Sequence, residues 1–338
     1  MKKVSINDIA ARLGVSPTLV SLALNGKGKE YRIRDEICKK VLDMAAELNY
    51  QPNTIAKGLR TGKTQTLGVI VADIANPFFG RLCREIETEA ELMGYKVIFC
   101  SSDEDATRSK RQLEMLLQSQ VDGLIISPPV GSNEQIQFLA DAGFPYVLID
   151  RYFPDIDSNF IIVDNFEASF NATNFLISKG YKRIGFLTIN EDLVTMHNRT
   201  EGYLTAINNS DLKIGDTLLT KLPFSHDGKD VRQAIMDLLQ REGKIDALIF
   251  SSSKIGLMGL EAIADIPLKV PQDIAIVSFD DPDSFKICFT PISAIAQPLS
   301  EMGKRSVQLL VQQIKKRKKT ETTEKVVLKT EFIVRKSC

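Results

Sequence analysis

With 338 residues, the chain is long enough for two or three domains, and its 43 Lys and Arg residues balance its 43 Asp and Glu residues. This balance by itself favours neither a nucleic-acid partner nor a membrane, but it hides an asymmetry. Residues 1–64 carry 12 basic and 6 acidic residues, whereas the rest of the chain carries 31 and 37, so we expect a small basic head that contacts a polyanion and an acidic body.

The cysteines and the apolar runs bear on the cellular compartment. The five cysteines are odd in number, widely spaced, and form neither a CxxC pair nor a metal-binding spacing. We therefore expect a reducing, cytoplasmic environment and no metal site. No run of 18 apolar residues is present and no apolar signal segment follows Met1, so we expect neither membrane insertion nor export.

The first predicted elements are two short helices separated by Gly14 and braced by a third helix over residues 34–48. Ser5 can cap the first helix, and Ser16 followed by Pro17 can begin the second. The apolar positions that predict the three helices are Ile6, Ile9, Ala10, Leu13, Val20, Ala23, Leu24, Ile37, Val41, Met44, Ala45 and Leu48. Two short helices joined by a glycine turn and packed on a third form a helix-turn-helix unit.

This head resembles the lactose/galactose repressor family in its segments 5–10, 14–16, 20–21 and 46–53 and at Asn25. A generic three-helix bundle is the alternative, but binary patterning alone would not reproduce these turn and cap residues. In this family the second helix lies in the major groove of DNA. The resemblance therefore implies DNA contacts by Ser16, Pro17, Thr18, Ser21, Leu22 and Asn25.

The head departs from the family pattern at two places. Leu19 and Leu22 stand where the family usually has Thr and Arg, so an apolar contact, such as one with a thymine methyl group, is expected from Leu22. The loop over residues 26–32 is longer than is typical and rich in cations. These cations fit phosphate contacts and equally fit a solvated loop.

A hinge is expected after the head, over residues 53–60. Two helical turns containing Gly58 are marginal in water, so this helix should form only when a partner holds it. The resemblance implies that paired hinge helices order on DNA, that Asn53 and Ala56 contact it, and that Leu59 wedges into the minor groove. An ordinary linker containing one leucine is the alternative.

From residue 66 onward, short apolar runs alternate with amphipathic segments, which predicts parallel sheets covered by helices on both faces. The expected strands are 67–72, 96–100, 123–127, 146–150, 160–163, 183–188, 246–251 and 274–279, and the clearest helices are 78–93, 107–118, 166–178 and 231–242. A final strand is expected over residues 326–334.

Polar residues follow these strands directly, at Asp73, Asp103, Asp150, Asp164, Ser252 and Asp280. Each one alone fits a helix cap or a turn. Because ligands of open α/β sheets collect beyond the carboxyl ends of the strands, their recurrence predicts a lined cleft.

The body extends the family resemblance through segments 76–79, 121–125, 164–165, 199–203, 270–273, 278–281 and 293–298. It implies an α/β, two-lobed periplasmic-binding-protein-like fold with parallel sheets behind the all-α helix-turn-helix head. The effector contacts implied by the resemblance are Phe78, Phe79, Asp150, Arg199, Phe224, Asp280 and Gln297, and we add Ser252 because it directly follows a strand. Ser252 and Ser253 replace the Asn-Asp pair of many members, which leaves a nucleobase or another metabolite open beside a sugar as the effector.

The expected domains are the helix-turn-helix domain over 1–52, the hinge helix and linker over 53–64, and an effector-binding and dimerisation domain over 65–338. The first lobe of this last domain is expected to comprise 65–163 with 294–322, and the second lobe 164–293 with 323–338.

Catalysis is disfavoured, because the chain has only His197 and His226 and lacks hydrolase, zinc-protease and dinucleotide-binding motifs. We expect no catalytic residue and no cofactor. The sequence instead predicts a DNA-binding transcriptional regulator, a repressor that binds a palindromic operator as a homodimer under the control of a small metabolite such as a sugar. A cytosolic sugar-binding protein or sensor with no DNA-binding role is the alternative.

Overall fold

The computed structural model describes residues 4–50, 63–189, 192–212, 218–223, 225, 227–241, 244–316 and 323–338. The chain divides into two compact units, residues 1–64 and 65–338, each with its own apolar core. No helix within the described ranges is both long enough and apolar enough to cross a membrane.

The head consists of helices α1 (Ile6–Leu13), α2 (Pro17–Leu24) and α3 (Asp35–Glu47). The predicted caps are confirmed: the Ser5 hydroxyl accepts from the Asp8 amide, and the Ser16 hydroxyl accepts from the Leu19 amide. Gly14 ends α1 with a φ of 67°, a left-handed conformation that glycine adopts without steric cost. The core of the head is formed by Ile9, Ala10, Val20, Ala23, Val41 and Ala45.

The body begins with a strand-helix alternation that builds its first sheet. The elements are β1 (Thr66–Val71), α4 (Pro77–Leu92), β2 (Lys96–Ser101), α5 (Ala106–Gln118), β3 (Gly123–Ile126), α6 (Asn133–Asp141), β4 (Tyr146–Ile149) and β5 (Phe160–Val163). Strands β3, β4 and β5 are buried along their full length, as expected when helices cover both faces of a sheet.

The chain then builds the second sheet by the same alternation. Its elements are α7 (Asn165–Ser178), β6 (Ile184–Ile189), α8 (Val194–Asn208), β7 (Leu219–Leu222), α9 (Gly228–Gln240), β8 (Ala247–Phe250), α10 (Ser253–Ala264), β9 (Ala275–Phe279), α11 (Asp283–Ile287) and β10 (Ser293–Ala296). The last elements are α12 (Leu299–Lys316), β11 (Lys325–Leu328) and β12 (Glu331–Ile333).

The two sheets define two lobes, and the chain passes between them three times. The first sheet has the strand order β2-β1-β3-β4-β5-β11 and is parallel throughout. The second has the order β7-β6-β8-β9-β10-β12, in which only β12 runs antiparallel to its neighbour. Helix α12 returns to the first lobe, where Val307, Leu310 and Ile314 join the core beside α4.

The C-terminal boundaries differ from those expected from the sequence. Residues 294–296 belong to β10 of the second sheet rather than to the first lobe. The expected strand over 326–334 is two strands: β11 pairs with β5 in the first lobe, and β12 pairs with β10 in the second. A continuous apolar pattern fits one strand as well as two, so the crossover at Lys329 and Thr330 leaves no signal in the periodicity.

Helices α7 and α8 approach each other closely at Gly202. A Cβ added there would meet the carbonyl oxygen of Phe166 and lie 3.0 Å from the backbone nitrogen of Phe170. The obstacle is backbone, so it cannot move aside as a flexible side chain would. This contact holds α8 in the second lobe, and α8 carries Arg199 toward the edge of the sheet.

We predict that Gly202→Ala destabilises the body by about 1–3 kcal/mol, because steric overlap outweighs the usual gain from replacing glycine inside a helix. The measurement is the free energy of unfolding from urea titration. Gly228→Ala is the matched control, because a Cβ there at the start of α9 meets nothing within 4 Å. Unchanged or increased stability of Gly202→Ala would contradict the close packing.

Candidate functional site

A cleft of about 390 Å³ lies between the two lobes of the body, at the carboxyl ends of their strands. Its lining is mostly polar with a few apolar side chains and comes from both lobes: Ala72, Asp73, Asn76, Phe78, Phe79, Asp103, Glu104, Asp150, Arg151, Ile189, Thr195, Met196, Arg199, Ser252, Lys254, Asp280 and Gln297. The position agrees with the general rule for ligand sites of open α/β sheets.

Arg199 is the most deeply buried of the charged residues that line the cleft, with only 2% of the residue exposed. Its Nε donates to Asn165 Oδ1 at 2.7 Å, and its Nη1 donates to the carbonyl oxygen of Ser251 at 2.6 Å. The guanidinium also lies over the Phe279 ring, 4.1 Å from its centroid. Burial lowers the pKa of Arg199, and this effect is opposed by the carboxylates of Asp280 and Asp150.

Asp280 follows β9 with a left-handed φ of 64°. Its Oδ2 accepts from the backbone nitrogen and the hydroxyl of Ser253, at 3.2 and 2.9 Å, and its Oδ1 accepts from Gln297 Nε2 at 2.7 Å. These three donors fix the carboxylate at the start of α10. In the part of the chain that the structure describes, Gln297 Oε1 is buried without a hydrogen-bond partner.

Asp150 holds the corresponding place in the first lobe, where it follows β4 with a φ of 67°. Its neighbour Arg151 is buried and binds both carboxylate oxygens of Glu104 at 2.5 Å, while its Nε lies 3.3 Å from Asp150 Oδ2. Burial raises the pKa of Asp150, and the nearby Arg151 and Arg199 only partly offset this effect. The ionised form of Asp150 is therefore held in the cleft at a cost in stability.

The apolar wall of the cleft begins at α4. Asn76 caps this helix by accepting from the Phe78 amide at 3.0 Å, and Pro77 occupies its first position. The rings of Phe78 and Phe79 then pack edge to face, with centroids 4.9 Å apart. Because both residues are buried but line the cleft, their rings offer a nonpolar surface to a bound molecule.

The residues predicted as effector contacts converge on this cleft. Seven of them line it: Phe78, Phe79, Asp150, Arg199, Ser252, Asp280 and Gln297. Phe224 lies outside the described residues. Of the polar strand ends, Asp164 does not line the cleft, because its Oδ1 accepts from the Glu167 amide and caps α7.

Sequence reasoning missed several members of the site. Asn165 and Ser253 orient Arg199 and Asp280; both lie in segments singled out from the sequence, but neither was predicted as a contact. Thr195 lies one helical turn before Arg199, and its hydroxyl oxygen is buried without a partner among the described residues. Thr195 and Gln297 both line the cleft, so a polar ligand there could form hydrogen bonds with these two oxygens.

A contact beside the cleft also joins the two lobes. Arg81 of α4 donates through Nη1 to the carbonyl oxygen of Asp281, at 3.2 Å. The Asp281 carboxylate is held by both terminal nitrogens of Arg335, at 2.8 and 2.7 Å. A change in the angle between the lobes therefore alters the contact between Arg81 and Asp281, which lies one residue from Asp280.

The second candidate surface is α2 of the head. Ser16, Pro17, Thr18 and Asn25 are exposed, Ser21 and Leu22 are half-buried, and Leu19 packs against the core. The side-chain amide of Asn25 donates to the Ser21 carbonyl oxygen at 2.7 Å. The expected hinge contacts, Asn53, Ala56 and Leu59, lie outside the described residues.

Two family models match the chain. One, described as periplasmic binding proteins and sugar binding domain of LacI family, matches residues 64–336, and the other, described as bacterial regulatory proteins, lacI family, matches residues 5–53.

Among curated proteins, the chain is similar to the HTH-type transcriptional regulator RegA of Clostridium saccharobutylicum, with 30% identity over 98% of each chain. It is also similar to the ribose operon repressor of Haemophilus influenzae, with 30% identity over 98% of each chain. Among solved structures, the lac repressor dimer bound to operator and the anti-inducer ONPF matches 99% of each chain with a TM-score of 0.87. Its 23% identity makes this a likeness of fold alone.

We predict that Asp150→Asn has a higher free energy of unfolding than the parent protein at neutral pH, because the neutral amide avoids the cost of a buried carboxylate. Since the folded pKa is raised, the stability of the parent falls as pH rises from the ordinary carboxyl range through the raised pKa. The advantage of the variant should therefore grow over that window and then remain constant.

Urea titration across pH measures this difference, and Asp155→Asn in the exposed part of the loop after β4 is the control. Lower stability of Asp150→Asn at neutral pH would show that the carboxylate stabilises the fold through Arg151 and Arg199.

Proposed function

This chain belongs to the LacI family of bacterial DNA-binding regulators, and we propose that it binds a palindromic operator as a homodimer under the control of a small metabolite held between its lobes. The observation that carries the proposal is the cleft in which Arg199, Asp150 and Asp280 converge beside two phenylalanine rings. The curated relatives are transcriptional regulators rather than enzymes. Because operator DNA lies in the bacterial cytoplasm, we place the protein there.

The chemistry of the cleft supports a sugar as the metabolite. Carboxylates and a guanidinium form paired, charge-assisted hydrogen bonds with adjacent hydroxyl groups. The faces of Phe78 and Phe79 suit the C–H side of a sugar ring. A ligand that left Arg199 or Asp280 without hydrogen bonds would bind weakly, because unpaired buried polar groups are costly.

The head supplies the DNA contacts of the proposal. Pro17 and Thr18 are exposed on the first turn of α2, which supports contacts with base edges in the major groove. Leu22 supports an apolar contact with a thymine methyl group. We assign Ser16, Ser21 and Asn25 to contacts nearby, and Asn53, Ala56 and Leu59 to the hinge contacts with the centre of the operator.

The control mechanism follows from the placement of the ligand between two lobes. A ligand that touches both lobes favours one angle between them, and in a dimer this angle sets the separation of the two hinge segments. A ligand that favours the angle of the operator-bound dimer acts as a corepressor. A ligand that favours another angle acts as an inducer.

We predict that Arg199→Lys weakens the response to the effector about 10- to 100-fold, because lysine keeps the charge but loses the planar set of donors. The measurement is the concentration of sugar that changes operator binding by half, using a panel of monosaccharides and the duplex that the protein selects from a random pool. Arg232→Lys is the matched control, since Arg232 lies on the surface of α9 and pairs with Asp265. An unchanged response of Arg199→Lys would refute the assignment of the cleft as the effector site.

The homodimer has its structural support in the segment after β9. Phe285 is fully buried and anchors α11, whereas Ile287 is 84% exposed and Phe289 is fully exposed. Two large apolar side chains presented together on an anchored segment suit an interface. We assign a second copy of the chain to this surface, because a two-fold axis would bury the same patch from both subunits.

We predict that Ile287→Ser combined with Phe289→Ser weakens the dimer at least about 10-fold, because the interface loses the burial of four large side chains. Sedimentation of the full-length protein over a range of concentrations measures the change. The control is Phe138→Ser, which removes a 57% exposed ring from α6 of the first lobe. Dissociation behaviour identical to that of the parent protein would exclude this surface.

A further inference from the structure

The charged residues that are buried in the described part of the chain all line the cleft: Asp150, Arg151, Arg199 and Asp280. Their partners differ, and the difference indicates the charge of the ligand. We propose that the effector is an amino sugar whose protonated amino group binds the carboxylate of Asp150. The inference rests on the proposed function of the cleft as the effector site and narrows the class of sugar.

Three of these four charges have strong partners within the protein. The two terminal nitrogens of Arg151 bind the two carboxylate oxygens of Glu104. Arg199 donates to two oxygens and lies over the Phe279 ring. The carboxylate of Asp280 accepts from three donors. Each of these groups therefore has protein contacts in place of the water that it lost on burial.

Asp150 is the exception. Within the described ranges its carboxylate has one polar contact, with Arg151 Nε at 3.3 Å, which falls short of a hydrogen bond. Because the terminal nitrogens of Arg151 already hold Glu104, this contact compensates the charge of Asp150 only in part. Burial raises the pKa of Asp150 despite the two arginines nearby, which agrees with incomplete compensation. A cation of the ligand would supply the missing partner.

The charge balance of the first lobe also favours a cation. Four carboxylates of this lobe line the cleft and two arginines pair with them: Asp73, Asp103, Glu104 and Asp150 against Arg108 and Arg151. Two negative charges are therefore in excess on this side. In the second lobe Arg199 and Lys254 outnumber Asp280 among the lining residues, so the excess is confined to the side that carries Asp150.

The hydrogen-bonding groups left open in the cleft call for donors. Gln297 donates through Nε2 to Asp280, and its Oε1, which is buried without a partner among the described residues, can only accept. The ionised carboxylate of Asp150 likewise only accepts. An ammonium group carries three donors and no acceptor, whereas a hydroxyl carries one donor. An amino sugar therefore suits these acceptors better than the corresponding neutral sugar.

The test compares three forms of one hexose that differ at a single carbon: D-glucosamine, D-glucose and N-acetyl-D-glucosamine, with the galactose and mannose series in parallel. Acetylation keeps the nitrogen and removes its charge, and the hydroxyl form controls for the size of the acetyl group. Titration calorimetry of the full-length protein at neutral pH measures each affinity. In the series that binds tightest, the amine should bind about 10-fold more tightly than either neutral form, because hydrogen bonds between charged groups are roughly twice as strong as neutral ones.

The same titrations on Asp150→Asn assign the preference to this carboxylate. The amide has nearly the same shape and no charge, so the variant should lose the preference for the amine over the hydroxyl form. Asp155→Asn is the control, because it removes one negative charge from the exposed part of the loop after β4 and should keep the parent preference. Circular dichroism of each variant shows that the comparison is made between folded proteins.

The outcomes separate this inference from the function on which it rests. A neutral form that binds as tightly as the amine would overturn the inference and leave a sugar effector standing. A preference for the amine that persisted in Asp150→Asn would also overturn it, because another group would then hold the ammonium. If no member of the panel bound, the sugar effector itself would be rejected, and the inference with it.

Discussion

A buried guanidinium organises the body of this protein. A charge as enclosed as that of Arg199 costs several kcal/mol unless its surroundings compensate it, and the compensation comes from several elements. Helix α7 supplies Asn165, the end of β8 supplies the Ser251 carbonyl oxygen, and the end of β9 supplies the Phe279 ring. Helix α8, which carries Arg199, also packs closely on α7 at Gly202.

Each lobe contributes an aspartate that follows a strand and lines the same cleft as this guanidinium. Asp150 and Asp280 follow β4 and β9, and both adopt left-handed backbone conformations that aspartate tolerates better than most residues. Each carboxylate is oriented by other side chains, through Arg151 in the first lobe and through Ser253 and Gln297 in the second. A ligand that bridges the two lobes would complete this polar cluster, whereas the Arg81 contact with Asp281 joins the lobes directly.

Much of the fold could be predicted because buried parallel strands are continuous apolar runs, such as those of β3 and β9, and because caps such as Ser5 and Ser16 mark helix starts. Strand β7 was not predicted, since its alternation of apolar and polar residues is short. The crossover between β11 and β12 was missed because pairing partners are not encoded in periodicity.

In the site, the sequence identified the residues that directly follow strands or belong to family motifs. Arg151 and Glu104 were not identified, because their pairing depends on two loops that meet only in the folded lobe.

We expect occupancy of the cleft and binding of the operator to be coupled. The most direct test is to measure the affinity of the full-length protein for the tightest-binding sugar of a monosaccharide panel, with and without saturating operator duplex. Coupling is reciprocal, so the operator should change the sugar affinity by the same factor by which the sugar changes the operator affinity, about 5- to 150-fold. An identical sugar affinity in the presence and absence of operator would contradict this coupling.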